Sequence, residues 1–169
     1  MTNDPKTPDS HESVDFRNAL AATYNEFSLE KIGSVPDFIS WLGAWLPKKI
    51  ELAQQTGNDF IVLKHPLSAM ALGEINKLCK PRVVMVTRPF RDIESTRLRR
   101  KWLWNYGSKG AHIIYSRALS QAIDYGIPFV SVGFNSFKES KETRTNLIDF
   151  CGITVDDTRL LNAENFIRI

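Results

Sequence analysis

The sequence predicts an α/β protein in which a short parallel sheet is flanked by helices in three layers. Apolar runs at 59–64, 83–86 and 129–132 have the length and the β-branched content of buried strands. Segments with helical spacing of apolar residues separate each run from the next. Strands that alternate with helices in this way are typical of parallel sheets with right-handed crossovers.

Composition indicates a globular protein rather than a membrane or disulfide-rich one. The chain has 169 residues, a formal charge of +3 and a hydrophobic share of 43%. The polar stretch 1–12 is predicted to be a disordered tail, and 13–169 a single domain. Cys79 and Cys151 lack metal-ligand spacing, so no metal is expected. Without an apolar stretch of membrane length or a signal peptide, we expect a cytoplasmic protein and no membrane partner.

The N-terminal half is predicted to be helical. A helix runs from Val14 to near Gly33, and Ser34 begins a second helix as its N-cap. Pro47 is expected to kink or restart that second helix before it ends at Gly57. Beyond it, helices are expected at 67–78, from Arg91, at 111–125 after a break at 107–110, at 138–151 with Gly152 as C-cap, and in the tail from 156.

Arg88 stands where the strand 83–86 ends and the next helix begins. Pro89 biases Arg88 toward extended backbone, at the carboxyl end of the strand. Ligands of open parallel sheets bind at such corners. Cations and hydroxyls follow within three turns and suit a phosphate or sulfate group, namely Ser95, Thr96, Arg97, Arg99 and Arg100.

A second candidate, Lys64-His65-Pro66, ends the first strand and would bring a fixed charge and a titratable base to the same edge. The plainer alternative for each of Lys64 and His65 is an exposed charge at a strand end.

The series Arg88, Arg91-Asp92 and Thr96 resembles the 3′-phosphate-binding signature of sulfotransferases that use 3′-phosphoadenosine-5′-phosphosulfate (PAPS). The resemblance implies that Arg88 and Thr96 bind the 3′-phosphate, with Ser95 and Arg100 as further cofactor-binding candidates. It also implies a fold of the P-loop nucleotide-binding type.

Lys64-His65-Pro66 resembles the Lys-containing, Pro-terminated element of the same family. The implied reaction moves a sulfuryl group from PAPS to a hydroxyl or amine of a small molecule, glycan or peptide. Lys64 would stabilise developing charge and His65 would act as base. The resemblance covers about 59–153, and the chain lacks the family's first strand and its Gly-Ser-Thr-rich loop for the 5′-phosphosulfate. A shortened reading frame, a non-catalytic relative and a site completed by a second chain all remain open, and a homo-oligomer could cover the sheet edges.

Two other classes compete with an enzyme. One is a non-catalytic subunit that keeps only the nucleotide-phosphate site. The other is an RNA- or protein-binding module that uses the basic helix 91–104, where cations and aromatic residues interleave. Nucleic acid is the less expected partner because the whole chain is near charge balance. An NTP-hydrolysing enzyme is disfavoured, since no Gly-x-x-x-x-Gly-Lys-Ser/Thr element occurs.

Overall fold

The computed structural model describes residues 12–58, 60–156, 158–159 and 161–162. The predicted tail 1–12, apart from Glu12, and much of the helix predicted from 156 therefore lie outside the described residues. The described chain is an α/β fold, which confirms the predicted class in this coarse form. Its strands are β1 (Val83–Thr87) and β2 (Phe129–Gly133), and its α-helices are α1 (Val14–Thr23), α2 (Val35–Gln55), α3 (Leu72–Leu78), α4 (Phe90–Arg100), α5 (Ser108–Asp124), α6 (Phe134–Glu139) and α7 (Lys141–Cys151).

The chain divides into two compact units. The helical unit consists of the described residues of Met1–Pro81 and Phe90–Ile127. The sheet unit consists of those of Arg82–Pro89 and Pro128–Ile169. Each unit is described by itself below.

The core of the helical unit lies where α1 and α2 pack together. Phe16, Leu20 and Leu42 are completely buried there. Ser34 caps α2 as predicted, because its Oγ accepts a hydrogen bond from the Asp37 N–H at 3.2 Å. Helix α2 continues through Pro47 without restarting.

Helix α1 ends at Thr23, ten residues before the predicted end near Gly33. The cause is a pair of local hydrogen bonds to the Asn25 side chain, which compete with the helical hydrogen bonds. Asn25 Oδ1 accepts from the N–H groups of Phe27 and Ser28 at 2.7 and 2.9 Å, which closes a turn instead of a further helical step.

The strand predicted at 59–64 is wrong. Residues 60–65 belong to no strand, and Asp59 lies outside the described residues. Ile61 and Leu63 pack against the buried core, whereas Phe60 and Val62 are 46% and 60% exposed. The alternation is that of extended chain, but a β-strand also needs a hydrogen-bonded partner, and no strand among the described residues pairs with this segment. The helix predicted at 67–78 is divided into two elements, a 3₁₀ helix at Pro66–Met70 and α3.

The sheet unit contains two parallel strands, as predicted at 83–86 and 129–132. Val83 pairs with Phe129 and Thr87 with Gly133, so the carboxyl ends are in register. The helix predicted at 138–151 is divided in two. Ser140 lies between α6 and α7 with extended backbone, and its Oγ accepts from the Thr143 N–H at 3.1 Å as the N-cap of α7. The predicted C-cap Gly152 is confirmed, with a φ of +67°.

Candidate anion-binding edge

The carboxyl ends of β1 and β2 place Arg88 and Phe134 at one edge of the sheet. Thr87 and Gly133 are the last paired residues, and the Thr87 hydroxyl donates to the Val132 carbonyl at 3.3 Å. Arg88 directly follows the first strand, and Phe134 begins α6 directly after the second. Ligands of parallel sheets bind at this end of the strands.

Two cations face the same aromatic ring at this edge. The Arg88 guanidinium carbon lies 5.2 Å from the centroid of the Phe134 ring, and Lys138 Nζ lies 5.8 Å from it. These are cation–π distances. Within the part of the chain that the structure describes, neither Arg88 nor Lys138 forms an ion pair with a carboxylate. We call Arg88, Phe134 and Lys138 the cation edge.

Arg144 of α7 fixes the end of the helix that carries Lys138. Its Nη1 donates to the carbonyl oxygens of Phe137 and Lys138, at 3.0 and 2.9 Å. These bonds satisfy carbonyls at the carboxyl end of α6 that have no partner within the helix. The backbone from which Lys138 extends is therefore held by a second helix.

The other predicted phosphate ligands, Ser95, Thr96 and Arg100, lie in the helical unit on α4. The Thr96 hydroxyl donates to the Asp92 carbonyl at 2.9 Å, a bond within its own helix. Ser95 is exposed, and the Arg100 guanidinium lies 4.8 Å from the centroid of the Trp102 ring. The convergence of Arg88 with Thr96 on one phosphate stays a prediction from the sequence.

Arg97 of the basic helix is engaged by neighbouring groups. Its Nε and Nη2 donate to Glu94 Oε1 at 2.8 and 2.6 Å, and its Nη1 donates to the Trp102 carbonyl at 3.0 Å. Glu94 Oε2 accepts from the N–H and the hydroxyl of Ser108 at 3.0 and 3.2 Å. The hydrogen bonds from Arg97 and then from the Ser108 backbone lower the pKa of Glu94 to about 2.

Sequence reasoning missed Glu94, which acts at a distance as a cap for α5. The break predicted at 107–110 is wrong beyond Gly107, because α5 already begins at Ser108. Gly107 has no side chain to cap this helix, and the Glu94 carboxylate takes that place. The available signal was a glycine before a helix that has no capping residue of its own.

His65 is the N-cap of the 3₁₀ helix Pro66–Met70. Its Nδ1 accepts from the Leu67 N–H at 3.2 Å. Burial, and secondarily the charge of Arg17, lowers the pKa of His65 to about 4, so the ring is neutral at pH 7. A neutral ring that accepts at Nδ1 carries its proton on Nε2. Service as a general base would require the capping bond to break.

Lys64 is exposed beside His65. Burial raises the pKa of Glu12, and the nearby Lys64 charge opposes this rise, so these two groups interact.

Among the described residues, no cluster of three or more His, Cys, Asp or Glu could hold a metal ion. No helix in that same part of the chain is long and apolar enough to cross a bilayer. Comparisons of the chain with family models, with curated proteins and with solved structures find no match.

Proposed function

We propose that this chain is a sulfotransferase-like protein that binds the 3′-phosphate of PAPS, or of its product adenosine 3′,5′-bisphosphate, through Arg88. One observation carries the proposal. Arg88 directly follows a strand of a parallel sheet, and its exposed guanidinium contacts a ring while no described carboxylate pairs with it. A guanidinium so placed keeps its forked donors for an oxyanion. The resemblance of Arg88, Arg91-Asp92 and Thr96 to the sulfotransferase signature is the reason to propose the 3′-phosphate as this oxyanion.

The proposed reaction assigns different tasks to different cations. PAPS, when bound, supplies the sulfuryl group that passes to an acceptor hydroxyl or amine. Arg88 anchors the nucleotide without taking part in the bond changes, and Lys64 stabilises charge that develops on the departing oxygen. The acceptor proton passes to a base, for which His65 is the candidate once its cap to Leu67 opens. Binding and transfer are therefore separate claims, and binding is tested first.

The test is calorimetric titration with adenosine 3′,5′-bisphosphate. Arg88→Ala should weaken binding by about 10- to 150-fold, since a hydrogen-bonded charged group contributes about 1.5–3 kcal/mol. Arg117→Ala is the matched control, because Arg117 is also an exposed arginine and lies on α5, outside the residues predicted to bind the phosphate. Its affinity should stay within about twofold of wild type, the range of most surface substitutions. Equal affinity of Arg88→Ala and wild type, or no binding by wild type, would overturn the proposal.

A second candidate function is binding of single-stranded RNA by the basic and aromatic stretch of the helical unit. From Ser95 to Ile123 the sequence contains no Asp or Glu. Trp102, Trp104 and Tyr106 are 41%, 45% and 47% exposed beside this basic run. Exposed rings next to cations bind unpaired bases and phosphates. Titration with oligouridine at rising salt tests it: affinity should fall steeply with salt, and absence of binding at low salt would exclude this function.

A further inference from the structure

We propose that Lys138 is a second anion-binding cation of the cation edge, and that Arg88 and Lys138 together select a phosphomonoester dianion over singly charged groups. This inference rests on the proposed function, because it concerns the same site. It adds a residue that the sequence motif does not contain and a preference for doubly over singly charged phosphate groups.

The sheet and α6 determine where the two charges lie, since Arg88 follows β1 and Lys138 is on α6. Phe134 and Lys138 are four residues apart on that helix and so share a face. Arg88 reaches the same ring from the end of β1. Because each charge lies within 5.8 Å of one centroid, the two are at most about 11 Å apart, close to the Debye length at 0.1 M salt. Salt therefore screens their mutual repulsion only partly.

An anion bound by both cations would offset this repulsion with two attractions. Glu139 and Glu142 are exposed acidic neighbours along the chain, yet neither forms an ion pair with Arg88 or Lys138. A terminal phosphomonoester carries close to two negative charges at neutral pH, whereas a diester or a sulfate ester carries one. Two cations therefore favour the monoester, and the 3′-phosphate of the proposed nucleotide is such a group.

Lys138 could also serve only as packing for Phe134, because lysine stems cover apolar surface while the charge stays in water. The two roles respond differently to substitution. Lys138→Met keeps most of the stem and removes the charge, and Lys138→Arg keeps the charge. Lys141→Met is the control, since Lys141 is an exposed lysine three residues further on, at the start of α7.

The experiment is titration of these variants and of Arg88→Ala with adenosine 3′,5′-bisphosphate, and with its 3′-methyl phosphodiester. Lys138→Met should bind the bisphosphate about fivefold more weakly, the scale of one exposed ion pair. It should also lose much of the preference for monoester over diester. Lys138→Arg should restore both properties, and Lys141→Met should match wild type.

Each outcome decides between the claims. Wild-type affinity and selectivity in Lys138→Met, together with weakened binding in Arg88→Ala, would overturn the role of Lys138 and leave the proposed function standing. Equal loss in Lys138→Met and Lys138→Arg would show that the loss does not follow the charge at position 138 and would overturn the inference. No binding of the bisphosphate by wild type would overturn both.

Discussion

The basic helix α4 and the cation edge use their positive charges in opposite ways. On α4, Arg97 is held by Glu94 and by the Trp102 carbonyl, and Thr96 donates to its own helix. At the cation edge, Arg88 and Lys138 contact one ring and pair with no described carboxylate. The region with the higher density of cations thus uses part of them in its own fold, and in the sparser region neither cation pairs with a described carboxylate. Density of charge along a sequence does not measure charge available for binding.

The largest expected effect concerns His65. Like Arg97, His65 is a candidate site residue that makes a hydrogen bond within its own part of the fold. The pKa of His65 is lowered to about 4 from 6.5, so unfolded chains bind more protons than folded ones between these values. The contribution of His65 to the free energy of unfolding is then complete above pH 6.5, and about 3 kcal/mol of it is lost as pH falls to 4. Denaturant unfolding at a series of pH values measures the loss. His65→Asn, which can cap but does not titrate, should flatten the profile, and an unchanged slope would contradict the assignment.

The next effect compares crowding at the start of α5 with open space at the cation edge. A Cβ on Gly110 would collide with the backbone carbonyl of Asn105, whereas one on Gly133 would meet only the Ser136 side chain at 3.4 Å or more. Gly110→Ala should therefore lower the free energy of unfolding by about 1–3 kcal/mol. Gly133→Ala should change it by no more than about 0.5 kcal/mol. Thermal and denaturant unfolding of both variants check this, and equal costs would remove the contrast.

The smallest effect is the acid sensitivity of the Glu94 cap. Because the pKa of Glu94 is lowered to about 2 from 4.5, its contribution is complete above pH 4.5 and is lost as pH falls toward 2. Glu94→Gln should destabilise the protein at pH 7 and reduce the acid dependence over that window. Glu139→Gln, an exposed carboxyl at the end of α6, should leave both unchanged. If the two variants behave alike, Glu94 does not cap α5.

Features written into a few adjacent residues could be predicted from the sequence. Ser34 before a proline and an acidic residue predicted the start of α2, and Gly152 after an apolar helix predicted the end of α7. Strands β1 and β2 were predicted because apolar runs between prolines and glycines allow little else. Arg88 was placed at the end of β1 by Pro89 alone.

Features that depend on a distant partner could not be predicted. Residues 60–64 have the composition of a strand, but strand formation also depends on whether another strand lies alongside. The cap of α5 is supplied by Glu94 across 14 residues. Gly107 indicates that a local cap is lacking, but local spacing does not identify Glu94 as the residue that replaces it. Lys138 escaped notice for the same reason, because its nearness to Arg88 arises only when β2 pairs with β1.

The parallel pairing of β1 with β2 also fixes when the cation edge can arise during folding. After Thr87 the chain passes through about 40 residues of the helical unit before Phe129 returns to the sheet, so the pairing closes a long loop at an entropic cost. Such nonlocal contacts form slowly. On the proposed function, a nucleotide that bound only the paired strands would stabilise the paired state by mass action. The fraction of molecules with separated strands should then fall as the nucleotide concentration rises.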